Sequence, residues 1–204
     1  MKMDGSTYGP AHRSALGSTH LGALALREDQ LRLGLWMFLA TVTMLFAAFT
    51  SAYVVRRSGS DWKPVALPSI LWLNTLLLAA SSAAVEVGTR NGRRREWVRA
   101  MISLGVSLTL GVAFLVGQLV AWRQMVAAGV YLPTSPHSSF FFMLTGAHGV
   151  HVIAALAVLA WGAARTWSGW RDPRAWAARM ELCRTFWHYL GAVWVFLFAL
   201  VSLY

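Results

Sequence analysis

Apolar residues come in long blocks along this chain, and short polar or arginine-rich stretches separate them. Five blocks are each long enough to cross a membrane as a helix: about 33–55, 67–87, 98–122, 138–164 and 182–204. At 1.5 Å per residue the first covers about 35 Å, against a hydrocarbon core of about 30 Å. Arg56 and Arg57 close it, Pro68 opens the second in its first turn, and Arg123 ends the third. Pro133 and Pro136 stand just before the fourth and limit its extension. Residues 1–30 lack such a block and contain Asp4, Arg13, Arg27, Glu28 and Asp29, so they read as a polar N-terminal tail, mobile over 1–26, and not as a signal peptide. The pattern predicts an all-α integral membrane bundle of five transmembrane helices over residues 31–204, with no soluble domain.

Composition agrees. Of the 204 residues 57% are hydrophobic and 13% charged, whereas a soluble domain carries about 25% charged residues. The net charge of +10 would suggest nucleic acid in a soluble protein. Here the cations fall in loops and report orientation instead, so no nucleic-acid partner is expected. Fourteen Lys and Arg lie on the side of the N-terminus, the second loop and the fourth loop, and four lie on the other side. The positive-inside rule then puts the N-terminus in the cytoplasm and the C-terminus outside. The run Arg93-Arg94-Arg95 suits the same anchoring, or anionic lipid. Trp36, Trp62, Trp97, Trp122 and Trp161 fall near span ends, where indoles settle at headgroups. The single cysteine, Cys183, excludes a disulfide within the chain and a cysteine metal cluster. No internal repeat argues for a transporter.

Ionisable and amide groups inside spans are costly and carry information. His148 and His151 in the fourth span are three apart and share a face, with Gly146 and Gly149 on a neighbouring stripe where a helix can approach. The fifth span carries His188, with Glu181 and Arg184 at i,i+3 spacing near its start. Glu86 lies near the end of the second span and Gln118 near the outer side of the third. His151 and His188 fall within about one to two turns of the same level. Together they could hold a haem between facing helices. The plainer reading is interhelical hydrogen bonding, or contact with lipid headgroups. Ser103, Ser107 and Gly111, with the run from Ala79 to Ala84, are small faces for close packing. No catalytic, cofactor-binding or metal-ligating residue is expected. The seven candidates are lipid-cleft or interhelical polar residues.

Two segments carry a resemblance. Phe141-Phe142-Met143-Leu144-Thr145-Gly146-Ala147-His148-Gly149-Val150-His151-Val152 resembles the Phe-Phe-x-x-Thr-Gly-x-His-Gly-x-His-Val signature of the cytochrome c oxidase subunit III family. Trp187-His188-Tyr189, followed by Trp194-Val195-Phe196-Leu197, resembles the family's last helix, and Glu181 matches the acidic residue six places before it. Leu73-Asn74-Thr75, and Leu110-Gly111-Val112 with Gln118, are similar to its second and third spans. The likeness covers roughly 31–204 and matches the five-helix bacterial form.

It implies a subunit with no redox centre of its own, in a bacterial plasma (inner) membrane. Haem and copper would sit in the catalytic subunit I, with subunit II and a small subunit IV as further partners. Phospholipids would occupy the helix clefts, and the chain would support assembly, stability and proton uptake. The family's first helix of the five usually has a glutamate after Ser or Thr, but here Thr41 precedes Val42. An acidic residue often found after Trp-His-Phe-x is here Gly191. The alternatives are an accessory subunit of a nitric oxide reductase and a bis-histidine haem anchor.

Overall fold

The computed structural model describes the backbone of residues 10–59, 62, 67–131, 135–167 and 173–203, with side chains from residue 29 onward except 174 and 203. Lys2, Asp4, Lys63, Pro133, Arg171 and Tyr204, and the side chains of Arg13, Arg27, Glu28 and Arg174, lie outside that set. The described residues are helical, without a strand: α1 (Pro10–Arg57), α2 (Ile70–Arg93), α3 (Trp97–Ala127), α4 (Pro136–Trp167) and α5 (Pro173–Leu203). All five contain stretches long and apolar enough to cross a membrane, the one in α1 being Asp29–Arg57. The chain divides into two compact units between Thr41 and Val42; the second holds the end of α1 and all of α2–α5.

Each apolar block contains a span, but α2 starts at Ile70, so Pro68 stands before it rather than in its first turn, while elsewhere the helices outrun the blocks. Helix α1 begins at Pro10, so the backbone is already helical over 10–26, where a mobile tail is expected. That stretch is rich in alanine and leucine, which favour helix regardless of polarity. Helix α5 begins at Pro173, nine residues ahead of the expected start. Proline suits the first helical position, and Trp-Ala-Ala-Arg-Met then continues the helix. Pro136 likewise is the first residue of α4 rather than a residue before it. Ser135 caps that helix: its Oγ accepts from the Ser138 N–H at 3.2 Å, while Ser138 Oγ accepts from the Ser135 N–H at 3.1 Å. This is a reciprocal capping box with serine in the place of glutamate.

Helices α2 and α3 form a close antiparallel hairpin. Ser81 and Ser107 each donate to the other's backbone carbonyl, at 2.9 and 3.1 Å. Gly88 lets Leu104 and Ser103 approach to within 3.3 Å of where its Cβ would stand. The small faces at Ser81, Ser107 and Gly111 are therefore packing faces, as their spacing suggests. The turn between the two helices is a Schellman motif: Glu96 N–H reaches the Asn91 carbonyl and Arg95 N–H the Gly92 carbonyl, both at 3.0 Å. Its left-handed position is held by Arg95, at φ 62°. Helix α3 ends in the same motif with Gly129, at φ 80°.

One residue closes the arginine-rich end. Trp176 of α5 is 2% exposed. It packs on Gly92 of α2, meets Trp97 of α3 edge-on at 5.6 Å, and donates its indole N–H to Thr166 of α4 at 2.7 Å. The early start of α5 is what brings this indole to three other helices. At the same end Arg165 and Arg179 lie over the half-exposed Trp161 ring, at 5.3 and 5.5 Å.

Candidate functional site

Four of the seven candidate residues come together between α2 and α5. Arg184 donates to Glu86 Oε2 at 2.9 Å and to Glu181 Oε1 at 2.5 Å. Glu86 Oε1 also accepts from Arg90 at 2.9 Å, and Glu181 Oε2 from Arg93. The Nε2 of His188 stands 3.7 Å from Glu86 Oε2, beyond hydrogen-bond length but close enough for an ion pair when the ring is protonated. Two carboxylates thus bridge three guanidiniums across two helices. The Glu181–Arg184 pair is the one its i,i+3 spacing predicts. Arg90 and Arg93 join as partners that a reading of loop charge alone does not mark; the i,i+4 spacing of Glu86 and Arg90 was the available signal. Such a network fixes the register of α2 on α5 and holds their charges in mutual contact, which is how ionisable groups persist at membrane depth.

The other three candidates stand apart from it. His148 is fully buried, ringed by Trp194 at 5.4 Å, Phe114 at 6.0 Å and Phe46 at 6.5 Å. Neither of its nitrogens has a hydrogen-bond partner among the described residues. His151 is half-buried; its Nδ1 lies 2.7 Å from the Ala147 carbonyl and its ring 5.8 Å from Phe46. His148 and His151 share a face, as their spacing requires, and both meet Phe46, but only His148 is enclosed by further rings, and His188 belongs to the Glu86 network. Of the two nearby glycines only Gly146 faces a neighbour, Trp122 at 3.5 Å from its Cβ position; Gly149 faces open space, so the stripe is half a packing face. Gln118 is buried, and its Oε1 lies 3.5 Å from the Nδ2 of the fully buried Asn74. Asn74 fits because residue 117 is glycine: a Cβ there would collide with its amide. Trp194 donates to Thr75 and Trp122 to Thr145, both at 3.1 Å, so further interhelical bonds run across the bundle.

At the opposite end Tyr53, Trp62 and His137 form an aromatic cluster with ring centroids 5.0 to 6.2 Å apart. Between α1 and α5 lies an apolar groove of about 560 Å³, lined by Thr43, Phe46, Thr50, Tyr189 and Phe196 among others. The Thr43 and Tyr189 hydroxyls bond at 2.7 Å. Val42, where a glutamate would be expected from the resemblance, is 3% exposed, so a buried apolar side chain occupies that point. Among the described residues no group of three or more His, Cys, Asp or Glu is arranged to hold a metal ion.

Comparison with known proteins agrees with this arrangement. The family model described as cytochrome c oxidase subunit III matches residues 14–204. The chain is similar to the cytochrome c oxidase subunit 3 of Bacillus sp. (strain PS3), 27% identical over 180 residues that cover 84% of each chain. It is similar to the cytochrome bo(3) ubiquinol oxidase subunit 3 of Pseudomonas aeruginosa, 30% identical over 175 residues and 83% of each. A probable cytochrome c oxidase subunit 3 of Mycobacterium leprae is 27% identical over 179 residues, 86% of this chain and 88% of its own length. With five membrane-spanning helices and a match over nearly its whole length, the chain belongs to the cytochrome c oxidase subunit III family, the third subunit of haem–copper oxidases.

Proposed function

We propose that this chain is a non-catalytic scaffold in a terminal oxidase of a bacterial plasma (inner) membrane, with its N-terminus in the cytoplasm and its C-terminus outside. It packs beside the catalytic subunit I, which holds haem and copper, in a complex with subunit II and a small subunit IV. Its own part is assembly, stability and lipid contact, and through these the support of proton uptake. The observation that carries the reading is how its polar groups are used. The Glu86–Arg184–Glu181–Arg93 chain, the Ser81–Ser107 pair and the Trp–Thr bonds spend their hydrogen bonds on holding helices together. With Val42 and Gly191 at the two positions where the family usually has acids, the support of proton uptake is indirect. The α1–α5 groove is lined almost wholly by apolar atoms and suits a phospholipid acyl chain. The oxidase names of the relatives do not favour the nitric oxide reductase reading.

The test is the purified complex with and without this chain, compared in lipid vesicles. Initial oxygen consumption should be largely retained without it, while the number of turnovers before inactivation falls. Complete loss of turnover in a complex that still holds its haem and copper would contradict a scaffold role.

A further inference from the structure

The aromatic cluster at the end opposite the arginine-rich turn has a polar side. Tyr53 of α1 is fully buried, and His137, in the first turn of α4, is 1% exposed. Trp62 comes from the segment between α1 and α2. Each ring touches the other two, at centroid separations of 5.0, 5.2 and 6.2 Å, and Phe140 meets Tyr53 edge-on at 5.7 Å. The Tyr53 hydroxyl, the Trp62 indole nitrogen and His137 Nδ1 are all buried, and none has a hydrogen-bond partner among the described residues. Burying a polar atom without a partner is costly. Three such atoms on rings in mutual contact point to a shared partner. The other unpartnered atoms offer no such convergence. The His148 nitrogens face Phe46, Phe114 and a Trp194 whose N–H is spent on Thr75, and Asn74 Oδ1 abuts Gly117.

The hydrogen-bonding character of each atom selects the occupant. An indole N–H only donates. His137 bonds the backbone carbonyl of Val201 in α5. A carbonyl only accepts, so the nitrogen turned to it, Nε2, carries the proton and Nδ1 is an acceptor. The Tyr53 hydroxyl does either. The occupant therefore accepts from Trp62 and donates to His137 at once. A halide or a phosphodiester accepts without donating, an ammonium donates without accepting, and an acyl chain does neither. Water does both, and it is the smallest molecule that does, which suits rings already in contact. We infer that one buried water molecule binds here, accepting from Trp62 Nε1, donating to His137 Nδ1 and bonding the Tyr53 hydroxyl. About three bonds are usual for a buried water. Through the His137–Val201 bond the site ties together α1, the α1–α2 segment, α4 and the end of α5. The inference goes beyond the scaffold reading and does not depend on the oxidase assignment.

The experiment is a cryo-electron-microscopy map of the complex purified from native membranes, at a resolution that shows ordered water. The inference expects an isolated peak about 2.7–3.2 Å from both Trp62 Nε1 and His137 Nδ1. The comparison is the same complex with 3-benzothienylalanine at position 62, which keeps the bicyclic shape and has sulfur in place of the N–H. There the peak should fall to about half its height or less, since the water has lost a partner, while the rings stay in place. Deuterium uptake by the backbone of the α1–α2 segment should rise at least about threefold in the same variant. The wild-type map decides whether the peak exists even if the variant fails to assemble. Direct bonds among the three side chains with no peak between them, a peak that the sulfur isostere leaves unchanged, or density continuous with a lipid hydroxyl would overturn the inference.

Discussion

Replacing Trp176 with alanine should loosen the arginine-rich end far more than removing any exposed tryptophan. Trp176 is 2% exposed, so truncation empties a site bounded by Gly92, Trp97 and Thr166. Core tryptophan truncations cost about 3–5 kcal/mol, and the lost indole bond to Thr166 lies within that range at about 1 kcal/mol. Trp161 is 49% exposed and held by two guanidiniums, a contact worth about 0.5–1 kcal/mol at such a site. The chain carries its own reporter. Cys183, its single cysteine, lies seven residues after Trp176 on the same face of α5. Deuterium labelling of its helical backbone N–H requires this part of α5 to open, and when closing outpaces exchange the rate follows the opening free energy. A loss of 3–5 kcal/mol raises that rate roughly 150- to several-thousand-fold, since 1.36 kcal/mol is a factor of ten. Trp161→Ala should raise it by about fivefold or less, and Trp176→Phe by a factor between the two. Equal labelling of Trp176→Ala and Trp161→Ala would refute the claim that Trp176 joins the four helices.

Three further outcomes follow from the packing. Ser81→Ala and Ser107→Ala should be non-additive, with a coupling of about 0.6–1.7 kcal/mol in a double-mutant cycle read by unfolding in mixed micelles; additivity would mean the pair does not bond in the membrane. Gly117→Ala should destabilise by about 1–3 kcal/mol through its collision with the Asn74 amide, and in an Asn74→Ala background the same change should become neutral or favourable, as helix propensity then prevails. Arg95→Gly should raise the unfolding midpoint, because glycine relieves a left-handed backbone that costs other residues about 1–2 kcal/mol; a lowered midpoint would show that the Arg95 side chain contributes more than its backbone costs.

The spans were legible because a membrane crossing is written in hydropathy, and Trp97 to Trp122 marks one almost end to end. Helix starts were not. Pro10 and Pro173 open helices whose first turns lie outside the apolar blocks, where helix propensity rather than apolarity decides. The site was half legible. Glu181–Arg184 is local, and its spacing alone predicts the contact. Glu86–Arg184 and Arg93–Glu181 join residues 98 and 88 apart, and no local spacing says that α2 and α5 are neighbours. Trp176 was hidden for the same reason: among loop-like charges its indole carries no mark of burial. His148 and His151 were correctly placed on one face, but only the packing of Phe114 and Trp194 shows that His148 is enclosed among rings while His151 is half-buried.

The central claim, membership of a haem–copper oxidase as a subunit without redox centres, is tested most directly on a tagged copy purified in mild detergent. A reduced-minus-oxidised spectrum and a metal assay would be taken on the complex, and again on the chain after its partners are stripped away. The account predicts haem bands and copper in the complex, at about one assembly per tag, and a colourless, metal-free isolated chain. Haem with non-haem iron and no copper in the complex, or a haem band that stays with the isolated chain, would contradict it.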